Sequence, residues 1–308
     1  MDKPKTIPFT ASPKQYDEIK SRIYVWVKAG GDADFSDRDV DRDLDLIEPE
    51  EKEVRFDVLN RLVNDGKIEK VGRRRGWFRY VNKDLKYIDF KNASTERFYL
   101  SMPLGLSYHC RLFPKSLIAI SGEKNTGKSC FCLNLVKLNQ NTGREVFYFS
   151  SEMLETEMRF RLESFSSMRL SDWNFHPVHR TENFEDVIQP DGINIIDFLE
   201  VYDEFWKIGS RMAAIFNKLK TGIAVVCVQK APNQEHGRGG TFLIEKPRLT
   251  LSLSRRFNAD GELDGAICTV TNCKFPQGGK NLNGMSIDYK IINGADIVET
   301  SPWYRIGG

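Results

Sequence analysis

The stretch Leu117 to Ser129 reads LIAISGEKNTGKS, and it restricts the fold more than any other part of the chain. Leu117 to Ile120 is a short apolar run with the character of a buried strand. GEKNTGKS then meets G-x-x-x-x-G-K-[ST] at every fixed position, and an apolar run from Cys130 to Leu138 follows with helical character. Strand, glycine loop and helix in that order form a phosphate-binding P-loop. Gly122 and Gly127 let the backbone curl so that its N–H groups converge on an anion. Lys128 brings a point charge to the β- and γ-phosphates, and Ser129 offers a hydroxyl to Mg²⁺. The helix starting there turns its positive end to the same place. The expected nucleotide site is therefore Gly122, Glu123, Lys124, Asn125, Thr126, Gly127, Lys128, Ser129 and Cys130.

A length of 308 residues suggests two domains. The net charge of +2 says nothing about partners by itself; its distribution says more. The six cysteines include no C-x-x-C pair and have no histidine at zinc spacing, so they read as reduced core residues of a cytoplasmic protein. The first ten residues hold no apolar signal region, and no apolar run is long enough to span a membrane.

The first 82 residues predict a small domain of their own. Pro13 to Ala29 reads as a helix between Ser12 and Gly30, with Tyr16, Ile19, Ile23, Trp26 and Val27 at helical spacing. Ser36 can cap a short second helix, Asp37 to Leu46, and Pro49 suits the first turn of a third that runs to Asn64. Lys67–Val71 and Trp77–Val81 then read as a hairpin around Gly72–Gly76. Three helices and a β-wing resemble a winged-helix domain.

Arg73, Arg74 and Arg75 in the wing suit duplex phosphates or a minor groove. Residues 32–53 work against DNA, carrying eleven acidic side chains against three basic ones, Arg38, Arg42 and Lys52. The domain is either a DNA contact through its wing or a structural, protein-contacting module. The acidic run also imitates an EF-hand loop starting at Asp37, but Arg42 stands where the sharp turn needs glycine. A solvated acidic face fits better. Residues 83–101 read as a connector and 102–308 as the nucleotide-binding domain.

Beyond the P-loop, Glu145 to Phe149 is a second apolar strand, ending in Ser150-Ser151-Glu152-Met153. A helix with Glu155, Arg159, Arg161 and Leu162 follows. This arrangement resembles the RecA-fold motors of the DnaB-like and RepA-like replicative helicase group. The resemblance implies ATP with Mg²⁺, assembly into a homo-oligomeric ring or filament, and single-stranded DNA as partner. It implies that Glu152 polarises the attacking water. A carboxylate beyond the end of a strand beside the P-loop strand would suit that task; helix capping is the other reading of Glu152. Ile193 to Leu199 is a further apolar strand, and Asp197 at its end makes a Walker B pattern in which the carboxylate holds the Mg²⁺ shell.

Phe205 to Lys220 reads as an amphipathic helix, and Ile223 to Val228 as a strand ending in Gln229. The resemblance gives Gln229 the part of a γ-phosphate sensor. It likens the glycine-rich segment from Lys230 to Gly240 to a loop that contacts single-stranded DNA, with Lys230 and Arg238 on phosphates. Three more strands follow, Arg248–Leu253, Ala266–Asn272 and Ser286–Ile291. Lys274 matches a lysine that reaches a neighbouring subunit's γ-phosphate, but the companion arginine is missing; Lys280, Arg255, Arg256 and Arg238 are possible substitutes.

The fold expected is α/β: a RecA-like, twisted, mostly parallel sheet with helices on both faces after a winged helix. Its expected activity is ATP hydrolysis coupled to DNA. A KaiC-like ATP-driven switch and a nucleotide-controlled DNA-binding regulator are the alternatives.

Overall fold

Capping signals and apolar spacing set the helices of the N-terminal part. The computed structural model describes residues 13–29, 34–72, 75–85, 87–199, 207–231, 245–278 and 281–305. The chain divides into two units, Met1–Ala93 and Ser94–Gly308.

In the first unit, α1 (Pro13–Ala29) buries Ile19, Ile23 and Val27, one residue per turn along one face. The strand β1 (Phe35–Ser36) leads into α2 (Asp37–Asp43). Ser36 Oγ accepts the Asp39 N–H at 3.2 Å, and the Asp39 carboxylate accepts the Ser36 N–H at 2.9 Å, a reciprocal capping box. Helix α3 (Pro49–Asn64) packs Val54, Val58, Leu59 and Leu62 against α1 and Val40. The hairpin of β2 (Ile68–Lys70) and β3 (Trp77–Tyr80) takes β1 as its third strand, in the order β1-β3-β2.

The acidic stretch is not a calcium loop. Its first half is helical, so its carboxylates radiate instead of converging. Asp39 is committed to its cap, while Arg55 pairs with Asp41 at 2.9 Å and Asp37 at 3.3 Å. Arg55 is mostly buried, with 12% of its side chain exposed. Arg55→Ala strips two carboxylates of a charged donor and is expected to cost about 1–3 kcal/mol. Thermal unfolding of the full chain checks this; an unchanged melting temperature would assign the bridge no net worth.

The connector is shorter than the sequence pattern predicts. Phe98 and Leu100 are buried in the second unit's core, and Phe98 bridges Leu112 across strand-like backbone.

The second unit is built on a ten-stranded sheet among the described residues. Its strands are β4 (Ser116–Gly122), β5 (Val146–Ser150), β6 (His176–His179), β7 (Ile193–Asp197) and β8 (Ile223–Gln229). Then come β9 (Leu249–Phe257), β10 (Leu263–Cys273), β11 (Met285–Ile292), β12 (Asp296–Glu299) and β13 (Tyr304–Arg305). The order is β12-β11-β10-β9-β4-β8-β7-β5-β6, with β13 also on β11. From β9 to β6 neighbours run parallel; from β9 to β12 they alternate.

Alternation along β4 explains the layers, because successive side chains of a strand point to opposite faces. Ile118 and Ile120 join Phe131 and Leu135 of α4 (Lys128–Asn139) in one core. Leu117 and Ala119 join Ile208, Met212 and Ile215 of α6 (Lys207–Lys218) in the other. Between them lies α5 (Glu155–Glu163) in sequence, after β5. The six cysteines are all free and buried. Among the described residues, no helix is long and apolar enough to cross a membrane.

Candidate functional site

The P-loop folds where the sheet's central strand ends. Gly127 is the N-cap of α4 with φ 82° and ψ 33°, a conformation that favours glycine, and a Cβ there would strike the Ile291 side chain. At Gly122 a Cβ would lie 2.8 Å from Lys128 Cγ, so glycine there makes room for the lysine to fold back over the loop. The Lys128 ammonium donates to the carbonyls of Gly122 at 3.1 Å and Glu123 at 2.9 Å. Thr126 Oγ1 donates to Glu123 O at 2.9 Å, and the buried Tyr289 hydroxyl of β11 donates to Thr126 O at 2.8 Å.

A cavity of about 330 Å³ opens above the loop. Lys124, Asn125, Gly127, Lys128, Ser129 and Cys130 line it, together with Glu152 and Gln229. Two sequence positions that the P-loop pattern does not span, Glu152 and Gln229, therefore meet the loop at one site.

The strand order corrects one premise. β4 lies between β8 and β9, so β5, which carries Glu152 past its end, is three strands away from β4 and not beside it. Glu152 still faces the cavity because all these strands are parallel and end on the same side. Ser150 Oγ accepts the Met153 N–H at 2.8 Å and fixes the turn.

Asp197 lies below the cavity at the end of β7, 3% exposed. Its Oδ2 accepts the Tyr148 hydroxyl at 2.5 Å, while Oδ1 is buried without a hydrogen-bond partner. Burial pushes the Asp197 carboxyl above the usual range; the Tyr148 and Ser129 hydroxyls and the Lys128 and Arg161 charges pull the other way. A buried, incompletely satisfied carboxylate beside a serine hydroxyl fits a divalent cation, which would supply the missing compensation. Ser129 and Asp197 are the residues that can hold Mg²⁺.

Four expectations change. Glu123 belongs to the loop, but its carboxylate turns away from the cavity to Arg255 Nε at 3.0 Å and Lys230 Nζ at 3.9 Å. Gly122 and Thr126 likewise support the loop from behind. Lys230 is not a surface contact for DNA: it is 3% exposed, and its ammonium donates to Ser252 Oγ at 2.8 Å and Ser254 Oγ at 2.6 Å. Burial lowers the Lys230 pKa, with Glu123 opposing. Of the substitute finger residues, Arg255 is held by Glu123, and Arg256 by Asp264 at 2.5 Å and Asp288 at 2.7 Å.

Lys274 is exposed and lies away from this cavity, at the sheet edge where β4 begins; its N–H donates to Arg248 O at 2.9 Å and its ammonium to Glu245 O. Arg75 is exposed in the turn between β2 and β3. Arg73, Arg74, Arg238 and Lys280 lie outside the described residues, as do Glu200, Asp203 and Glu204.

Two cavity residues have no site role in the sequence pattern. Phe198 follows Asp197 and looked like a continuation of an apolar strand. Arg161 sits on α5, paired with Glu157 at 2.9 Å. Nothing local separates it from Arg159, which pairs with Glu163 and lines a different groove.

No protein-family model matches the chain, and no curated protein does. Among solved structures it is similar to a KaiC-like protein from Pyrococcus horikoshii, with 15% identity, a TM-score of 0.51, and coverage of 67% of this chain and 99% of that one. It is also similar to the RadB recombinase, with 12% identity, a TM-score of 0.46, and coverage of 62% and 94%. At such identities the likeness is one of fold, and the fold of the second unit is that of the RecA-like α/β proteins.

Proposed function

We propose that the chain is a Mg²⁺-dependent ATPase coupled to DNA, a DnaB- or RepA-like motor working as a homo-oligomer. The observation that carries the ATPase part is the convergence of Lys128, Ser129, Glu152 and Gln229 on one cavity above the buried Asp197. Lys128 exchanges its two carbonyl partners for the β- and γ-phosphates, and the first turn of α4 offers its N–H groups to the same anion. Ser129 and Asp197 would hold Mg²⁺, which would neutralise charge on the phosphates. Glu152 orients and polarises the attacking water. Arg161, which the sequence places on the helix after Glu152 without a site role, adds a positive charge to the cavity wall.

Gln229 ends β8, the strand between the P-loop strand and the Asp197 strand, so it reads the γ-phosphate from the cavity's centre. Gln229→Ala is expected to weaken ATP binding by no more than about 1.5–3 kcal/mol, the worth of one hydrogen bond to a charged phosphate, and to remove stimulation by single-stranded DNA. ATPase rate against DNA concentration checks it. A basal rate that DNA never raises, in wild type as in variant, would favour the KaiC-like switch.

The first unit, with helices α1 to α3 and the β2–β3 hairpin, is read as a winged helix over residues 1–82. Exposure of Arg75 supports duplex contact through the wing, and the acidic α2 face disfavours a groove-reading helix.

A further inference from the structure

Away from the P-loop cavity, cations and aromatic rings gather at the opposite edge of the sheet, where β4 and β9 begin and β10 ends. Backbone bonds tie this edge together. Arg248 N donates to Leu117 O at 2.8 Å, and Arg111 N to Phe275 O at 2.8 Å. Lys115 and Lys246 place their ammonium groups 5.1 and 5.6 Å from the centroid of one ring, Phe216. The Arg248 guanidinium lies 5.9 Å from the Phe275 centroid, and Phe113 meets Phe275 edge-on at 5.1 Å. Phe275 is 40% exposed. Lys274 completes the group: burial and the charges of Arg248 and Lys246 lower its pKa, with Glu245 opposing.

None of these five cations is ion-paired with a described residue. Holding like charges together is unfavourable unless an anion joins them. Spaced cations beside an exposed ring suit a chain of phosphates whose bases are free to stack. A duplex hides its base faces and would leave Phe275 without a task. An acidic peptide would use the cations and ignore the ring.

We propose that this patch binds single-stranded polynucleotide, with Arg111, Lys246, Arg248 and Lys274 on phosphates and Phe275 under a base. It shares the polynucleotide partner of the proposed function but does not rest on ATP turnover.

The test is fluorescence anisotropy of labelled oligo-dT, oligo-rU and polyglutamate with the full chain across a salt series. Lys246→Glu combined with Arg248→Glu is expected to flatten the salt slope by about 0.7 per lost contact. Lys246→Arg combined with Arg248→Lys should retain it, and melting curves show that each variant is folded. Phe275→Ala is expected to weaken oligonucleotide binding about 5- to 150-fold at one salt concentration while keeping the slope. The dT and rU arms show whether DNA or RNA is preferred. An unchanged slope in the charge-reversed variant would overturn the patch. So would polyglutamate binding as tightly as oligo-dT with Phe275→Ala silent, which would make it an acidic-protein surface. ATPase assays on the same samples separate the two ideas. DNA that binds through the patch without changing hydrolysis defeats the motor and keeps the patch. DNA that stimulates hydrolysis while the charge-reversed variant binds normally does the reverse.

Discussion

Replacing Lys128 by alanine is expected to abolish ATP binding. The ammonium now bonds two loop carbonyls, Gly122 O and Glu123 O, and stands at the cavity floor. Its loss removes the counter-charge for the β- and γ-phosphates and leaves those carbonyls facing the same space. Charged hydrogen bonds contribute about 1.5–3 kcal/mol each, so losing two weakens binding by about 10²-fold or more. Titration with a fluorescent ATP analogue reads the effect, with the melting temperature as the folding control. Affinity that stays at the wild-type level would remove the loop from nucleotide binding.

The second large effect is on hydrolysis. Glu152→Gln keeps the shape of the side chain but replaces one acceptor oxygen by an N–H donor and removes the charge, so it cannot take a proton from water. ATP should bind normally while turnover slows by about 10²–10⁴-fold, the usual worth of a positioned base. Single-turnover assays separate this from slow product release. A variant that turns over at the wild-type rate would leave Glu152 as a helix-capping acid and return the search for the base to Glu200. Binding that fails together with hydrolysis would show that the glutamate shapes the cavity instead of serving the water.

Much of this was legible locally, because the signals are local. The α1 and α3 boundaries follow from proline, caps and apolar spacing, and the P-loop, Glu152, Asp197 and Gln229 each follow a short apolar strand. Strand order was not legible, since which strands pair depends on long-range packing. That is why β5 seemed to adjoin β4, although β8 and β7 intervene. The two-residue β1 is too short to show a period, and β6 contains Pro177 and two histidines in place of an apolar run. Lys230 was misplaced for a similar reason: it adjoins a glycine-rich segment, but Glu123, Ser252 and Ser254, all more than twenty residues away, decide its burial. Phe98 and Leu100 looked like connector residues because their neighbours are polar; tertiary packing overrides that pattern.

Lys230 also bears on how small a working nucleotide binder made from this chain can be. Its N–H holds Gly122 O at 2.9 Å, and its ammonium joins the β9 serines beside the Glu123–Arg255 pair. The Gly122–Ser129 loop is thus braced by chain segments more than a hundred residues downstream, and by Tyr289 further on still. An excised strand–loop–helix peptide would carry every residue of the motif and none of these braces. Glu123 would lose its fixed partners, and the loop would have to order itself at the ligand's expense. The loop's supports therefore reach from β4 to β11, and designs that graft GEKNTGKS elsewhere need to supply the equivalents of Lys230, Arg255 and Tyr289 along with it.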